Sequence, residues 1–157
     1  MRLYLVQHGE ALAEELDPAR PLSEAGEADV RNMAAFLAGR ALAVARIAHS
    51  GKLRARQTAE LLAGALVPPP PVAERPDLNP NDPPEELARE LAKWREDAML
   101  VGHLPFMGRL VALLVSGRPH DDIVAFSPGS VVCLEPAGAG RWLVDWMLRP
   151  ELLGRRG

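Results

Sequence analysis

Residues 1–10 read MRLYLVQHGE, and this stretch decides the fold. Its short apolar run over residues 2–6 has the composition of a buried strand and stops at Gln7-His8-Gly9. A glycine directly after a buried strand lets the backbone turn tightly and approach a ligand closely. Ligands of open α/β sheets bind at the carboxyl ends of strands, which is where His8 lies. By itself a histidine beside a glycine is more often structural, so the rest of the chain has to decide.

The composition is that of an ordinary globular protein. The chain is 48% hydrophobic and 25% charged, which fits a single domain over residues 1–157 with a real core. A net charge of −3 gives no broad basic surface for nucleic acid, and no apolar run has the length of a membrane-spanning helix. Cys133 is the one cysteine, so neither a disulfide framework nor a thiolate zinc cluster is expected. No signal peptide is visible, and we expect a cytoplasmic protein.

A second strand, predicted over residues 44–48, leads into a helix over about residues 52–65 that Ser50 can cap. Arg54 falls in the first turn of this helix. A cation is unfavourable there because the macrodipole is positive at a helix N-terminus. Arg54 is therefore either a solvated surface residue or part of an anion site, and this clue alone favours neither interpretation.

A third strand, predicted over residues 98–101, repeats the opening pattern. It ends beside His103, and an apolar helix over about residues 105–115 follows at once. Strands that alternate with helices pair in parallel through right-handed crossovers. We therefore expect His8, Arg54 and His103 to meet at one edge of a sheet.

The remaining pattern predicts a three-layer α/β/α fold with a mostly parallel sheet. Ser23 is expected to cap a first helix that ends near Gly39, and proline-rich residues 66–84 predict an extended surface connection. Three more strands are predicted, over residues 123–126, 129–135 and 142–148. The turn at residues 137–140 makes the last two an antiparallel hairpin, and residues 150–157 are expected to form a frayed tail.

The expected site is an anion site, because it combines two imidazoles, a guanidinium and helix N-termini. The simplest ligand that fits these groups is a phosphoryl group. A neutral histidine can act as the nucleophile, and neighbouring cations keep it neutral by depressing its pKa. Metal binding is the competing chemistry, but the four histidines show no ligand spacing such as HxH. We expect no metal and no cofactor. No G-x-S-x-G context supports a serine nucleophile.

Four motifs resemble those of the histidine phosphatase superfamily, whose fold is called phosphoglycerate mutase-like. They are the stretches at residues 7–10, 22–26, 50–60 and 102–105. Their order and spacing cover most of the chain. The small size of the chain and the stretches at residues 20–22, 78–80 and 103–105 are most similar to the SixA-type phosphohistidine phosphatases.

The resemblance implies that His8 is the nucleophile and becomes phosphorylated, while Arg54 and His103 hold the phosphoryl oxygens. Further candidates for contacts with the phosphate are Gln7, Gly9, Arg20 and Leu104. The implied substrate is phosphohistidine on a signalling or phosphotransfer protein, and no nucleic acid or membrane is expected as a partner.

The chain departs from the family pattern at Gln7, where the family has an arginine. Glutamine still donates a hydrogen bond, but a charge-assisted bond is about twice as strong as a neutral one. Three hypotheses stay open: a phosphohistidine phosphatase, a small-metabolite phosphomonoesterase that uses Asp77 or Asp82 as general acid, and a phosphate-binding module without turnover. The first is favoured because phosphohistidine carries its own basic leaving nitrogen, and because 157 residues leave no room for a roof over a small substrate.

Overall fold

The computed structural model describes residues 1–154, and they form strands and helices in alternation. The elements are β1 (Leu3–Gln7), α1 (Glu24–Ala38), β2 (Arg46–His49), α2 (Leu53–Ala65), β3 (Val72–Glu74), α3 (Glu85–Leu91), β4 (Ala98–Gly102), α4 (Phe106–Ser116), β5 (Val131–Gly138) and β6 (Arg141–Leu148), followed by a 3-10 helix (Pro150–Leu153).

Within residues 1–154, six strands form one mixed sheet in the order β3-β2-β4-β1-β5-β6. β4 lies parallel to β1 and β2, and β2 also lies parallel to β3. β5 pairs antiparallel with β1 and β6, which confirms the predicted C-terminal hairpin. Because Gln7 lies beside Gly102 and His49 beside Val101, the residues that follow β1, β2 and β4 emerge at the same sheet edge.

Helices cover both faces of the sheet, which confirms the three-layer α/β/α architecture. Neighbouring residues of a strand point to opposite faces. Leu5 accordingly packs with Phe106 on the side of α3 and α4. Val6 packs with Met33 on the side of α1 and α2. Both faces of β1 are thus buried, and this strand holds His8 against the centre of the domain.

Two connections differ from the sequence prediction. The proline-rich segment contains β3, a three-residue edge strand beside β2. Residues 123–126 are not a strand: Val124 and Phe126 pack their side chains against the core under α4, while their backbone joins no ladder in the described chain. An apolar run therefore marks burial here, and not pairing of the backbone.

The predicted frayed tail is corrected over residues 150–153, which form a 3-10 helix. Pro150 is buried, and its ring lies so close to Gly129 that an added Cβ there would be 2.9 Å from Pro150 Cγ. Leu153 packs against the core on the side of α1. Residues 155–157 lie outside the described part of the chain.

The entry to α1 lies against the loop that follows His8. As predicted, Ser23 caps the helix, and its Oγ accepts a hydrogen bond from the Gly26 N–H at 3.0 Å. The Ser23 N–H donates to the Glu10 carbonyl oxygen at 2.9 Å. A Cβ added to Gly26 would overlap the same carbonyl oxygen, so only glycine allows this close approach.

We expect Gly26→Ala to lower the free energy of unfolding by about 1–3 kcal/mol, because the rigid Glu10 backbone has to shift to admit the methyl group. Urea denaturation measures the change. Gly64→Ala is the matched control, since Gly64 also lies in a helix and a Cβ there meets no atom within 4 Å. That variant should be stabilised by about 0.5–1 kcal/mol, and an equal loss in both variants would contradict the argument.

Candidate active site

His8 lies directly after β1 and is held by both neighbouring strands. Its N–H donates to the Gly102 carbonyl at 3.0 Å, and its carbonyl accepts from the Gly129 N–H at 3.0 Å. Nδ1 lies 2.6 Å from the Gly9 carbonyl oxygen. A carbonyl can only accept, so Nδ1 carries the proton and Nε2 keeps its lone pair when the ring is neutral.

Burial, together with the charges of Arg54 and Arg20, lowers the pKa of His8 to about 4, against the opposing effect of the Gly9 hydrogen bond. His8 is therefore a neutral imidazole at pH 7. Neutrality and a free Nε2 lone pair are the two properties that a nucleophilic histidine needs.

Gly9 and Thr58 connect this loop to α2. The Gly9 N–H donates to Thr58 Oγ1 at 3.0 Å, and that hydroxyl donates to the Arg54 carbonyl at 2.8 Å. A Cβ on Gly9 would lie 2.7 Å from Val30 Cγ2, which leaves no room for a side chain. Thr58 is fully buried, and sequence reasoning gave it no role although it follows Arg54 by one helical turn. This spacing is the signal that could have found it.

Arg54 stands in the first turn of α2, as predicted. Its Nε is buried, and within the described residues it has no hydrogen-bond partner. Burial lowers the pKa of Arg54 somewhat, and the neighbouring charge of Arg20 adds to this. A guanidinium group that is desolvated and close to another cation favours an anion as its missing partner, so the structure supports the anion-site interpretation over a solvated surface residue.

His103 follows β4 and is buried beside His8, with 5.0 Å between the ring centroids. Burial lowers the pKa of His103 to about 3, with smaller contributions to the same shift from His8, Arg54, Lys52 and Arg20. Its Nε2 lies 2.6 Å from Ser50 Oγ. Its Nδ1 is buried, and no group in the described chain bonds to it.

Ser50 is not the helix cap that its position in the sequence suggests. The N-cap position of α2 is Lys52, whose own side chain makes no capping hydrogen bond. The Ser50 hydroxyl contacts His103 instead, because β2 and β4 are neighbours in the sheet and both residues emerge at the same edge. A contact between residues 53 positions apart carries no local signal in the sequence.

The other candidates for phosphate contacts differ in their positions. Gln7 is almost completely buried, and within residues 1–154 its Oε1 has no hydrogen-bond partner. Arg20 has a positive φ of 48°, and its Nε donates to the Leu12 carbonyl at 3.0 Å, while its charge still acts on His8. The side chain of Leu104 is 40% exposed and forms part of the rim. The charge of Arg20 acts on His8, Arg54 and His103 alike. Phosphate contacts by Gln7, Gly9, Arg20 and Leu104 stay predictions.

The remaining histidines are outside this group. His49 accepts a hydrogen bond from the Gly51 N–H at 3.0 Å through Nδ1, and His120 lies in an exposed loop. Among residues 1–154, no three His, Cys, Asp or Glu side chains are grouped in a way that could hold a metal ion. In the same residues no helix is long and apolar enough to cross a membrane.

The two carboxyl groups considered as general acids are engaged elsewhere. Asp77 forms a bidentate ion pair with Arg75, whose Nε donates to Oδ1 at 2.9 Å and whose Nη2 donates to Oδ2 at 2.7 Å. This pair lowers the pKa of Asp77, which keeps it ionised at neutral pH. Asp82 accepts a hydrogen bond from the Asn79 N–H at 2.9 Å. The ion pair therefore makes Asp77 a poor proton donor for an alkoxide leaving group.

The low pKa of His8 predicts that activity persists at mildly acidic pH. In an NMR titration, the His8 ring is expected to protonate with a midpoint near pH 4, well below the ordinary value of about 6.5. Protonation removes the nucleophilic lone pair of His8. Because kcat/KM reports ionisations of the free enzyme, the decrease in kcat/KM that is caused by protonation of His8 should appear only as the pH falls through about 4. A His8 midpoint near 6.5 would contradict the prediction.

Comparisons with known proteins show the family and the fold of this chain. The family model of the histidine phosphatase superfamily (branch 1) matches residues 3–81, about half of the chain. Phosphohistidine phosphatase SixA of Escherichia coli strain K12 is 28% identical over 155 residues, which cover 96% of this chain and 94% of that protein. An uncharacterized protein of a Picosynechococcus strain is 36% identical over 126 residues, which cover 75% of each chain.

The structure of the protein histidine phosphatase SixA complexed with tungstate superposes on this chain with a TM-score of 0.85. The two are 26% identical, and the match covers 98% of this chain and 99% of the other. The resemblance inferred from the four motifs is thereby confirmed, including its phosphoglycerate mutase-like fold. The chain belongs to the histidine phosphatase superfamily (branch 1) and is a phosphatase of that family.

Proposed function

We propose that the protein is a phosphohistidine phosphatase, which removes phosphate from phosphohistidine on a signalling or phosphotransfer protein in the cytoplasm. One observation carries the proposal: neutral His8, with its Nε2 lone pair free, has its ring centroid 5.0 Å from that of His103, and in the described chain His103 Nδ1 and Arg54 Nε are buried without a hydrogen-bond partner. Such a site can attack phosphorus and hold its oxygens. Asp77, a candidate general acid, is held by Arg75 instead.

In the proposed reaction, His8 Nε2 attacks the phosphorus atom and forms a new P–N bond. The P–N bond of the substrate breaks, and the electron pair goes to the leaving imidazole nitrogen. That imidazole leaves as a neutral ring when its other nitrogen carries a proton, so no dedicated acid is needed. Water then attacks phospho-His8, which releases inorganic phosphate and returns His8 to its neutral form.

The surroundings of the site suit a macromolecular substrate. A groove of about 460 Å³ begins at Leu104 and Pro105, directly after His103, and its other wall includes Ile123 and Phe126. Leu104 and Ile123 are 40% and 39% exposed, which leaves apolar surface near the site open to a partner. E. coli SixA, similar to this chain over nearly its whole length, is named for activity on phosphohistidine. We propose that the whole chain, residues 1–157, acts as this one domain.

The test compares two substrates of the wild-type protein without added metal. Phosphate release is measured from a phosphohistidine-bearing phosphotransfer protein and from p-nitrophenyl phosphate. We expect kcat/KM for phosphohistidine to be at least about 100-fold higher, because a missing general acid costs on the order of 10²–10⁴ with an oxygen leaving group. A ratio in favour of the phosphomonoester would support the esterase alternative, and no turnover of either substrate would support the binding module.

Gln7 is the observation that favours the binding module, and Gln7→Arg tests it. We expect this variant to raise kcat/KM roughly 5-fold, since a charge-assisted hydrogen bond to phosphate is about 1 kcal/mol stronger than a neutral one. Inhibition by inorganic phosphate should become stronger by a similar factor. Gln7→Met, which has similar length and no donor, is the control and should show no gain. If Gln7→Arg improves neither quantity, charge is not what this position lacks.

A further inference from the structure

The contact between Ser50 and His103 has no role in the mechanism so far. Ser50 Oγ lies 2.6 Å from His103 Nε2, and both residues are buried. They follow β2 and β4, which are adjacent strands. The other ring nitrogen, His103 Nδ1, is also buried, and nothing in the described residues bonds to it.

The strand order indicates where this second nitrogen points. β4 lies between β2 and β1, so Ser50 is on one side of His103 and His8 is on the other. The two nitrogens of an imidazole direct their bonds to nearly opposite sides of the ring. Because Nε2 is turned to Ser50, the unpartnered Nδ1 is turned to the side of His8, whose ring centroid is 5.0 Å away.

A phosphoryl oxygen accepts hydrogen bonds and does not donate them, so His103 serves it only with a proton on Nδ1. A neutral imidazole has one N–H, and Nε2 must then accept a hydrogen bond. The Ser50 hydroxyl can donate that bond. The Lys52 N–H approaches the same hydroxyl oxygen at 3.4 Å, which leaves the hydroxyl proton free to turn toward His103.

We propose that Ser50 is a positioning residue that fixes His103 in the Nδ1–H tautomer, so that this N–H donates to a phosphoryl oxygen held at His8. The arrangement mirrors that of His8, where the Gly9 carbonyl fixes the proton on Nδ1 and frees Nε2. The Gly9 carbonyl thus leaves His8 with a free lone pair for attack, and the Ser50 hydroxyl leaves His103 with an N–H that can donate to the phosphoryl group. The inference rests on the proposed function only in taking a phosphoryl group as the ligand.

Nitrogen-15 NMR of the ring nitrogens tests the proposal directly, and a chain with four histidines gives a simple spectrum. We expect His103 as the Nδ1–H tautomer in the wild-type protein with inorganic phosphate bound, and in Ser50→Thr. Ser50→Ala should show a mixture of tautomers. The kcat/KM of Ser50→Ala should fall about 10–100-fold, the usual cost of removing a group that orients a functional histidine, and Ser50→Thr should recover most of it.

Ser116→Ala is the matched control, because the Ser116 hydroxyl bonds the backbone at the end of α4: it donates to the Ala112 and Arg118 carbonyls and accepts from the Arg118 N–H. A proton on Nε2 of His103 in the phosphate-bound wild-type protein overturns the inference, and this result does not depend on any variant folding. Equal losses in Ser50→Ala and Ser50→Thr with an unchanged tautomer also overturn it. If the tautomer is as expected but phosphohistidine is not hydrolysed, the proposed function fails and the role of Ser50 stands.

Discussion

His8→Ala is expected to lower kcat/KM for phosphohistidine on the order of 10⁴-fold or more, because it removes the atom that forms the P–N bond with phosphorus. The ring is only partly buried, so the variant should fold. The measurement is phosphate release from the phosphohistidine-bearing protein. Brief incubation with labelled substrate should leave label on wild-type His8 and none on the variant.

Arg31→Ala is the control, since Arg31 pairs with Glu27 on the exposed surface of α1. It should retain wild-type activity within about twofold, as surface substitutions usually have small effects. Retention of more than about one hundredth of the activity in His8→Ala would contradict a covalent role. Label on another residue of the wild-type protein would contradict it equally, because the intermediate would then form elsewhere.

The positions of the central residues could be predicted because they depend on topology alone. His8 and His103 each follow an apolar strand, and parallel pairing with helical crossovers brings such strand ends to one edge. The sequence could not predict the partners of these side chains in the same way. Ser50 precedes a helix and has the local signature of a cap, whereas the sheet places it against His103.

Elsewhere in the chain, too, features set by a local pattern were predictable, and features set by a contact with another segment were not. The β5–β6 hairpin was predictable because its turn is local. β3 was not, since three residues between prolines give too short a pattern, and the adjacent β2 alone stabilises them as a strand. Asp77 was considered as a general acid without regard to Arg75, two residues earlier, and this ion pair removes it from that role.

Arg54→Ala is expected to lower kcat/KM about 10³-fold, because an arginine that stabilises a transferring phosphoryl group contributes 10³–10⁵ in rate. The measurement is again phosphate release from the phosphohistidine-bearing protein. Arg56→Ala is the matched control on the same helix. Its Nε lies 3.7 Å from Glu60 Oε1 on an exposed surface, so activity and stability should change little.

Gln7 gives this prediction a sharper form. The resemblance implies an arginine at the position of Gln7, and we expect Arg54 to carry a larger share of the charge on the phosphoryl group without it. In the Gln7→Arg background, Arg54→Ala should therefore cost less than it does in the wild-type protein, because residues that act on one group are not additive. An unchanged cost would mean that the two positions contact the phosphoryl group independently. A loss of less than about threefold from Arg54→Ala alone would mean that its buried Nε has another purpose than holding phosphate.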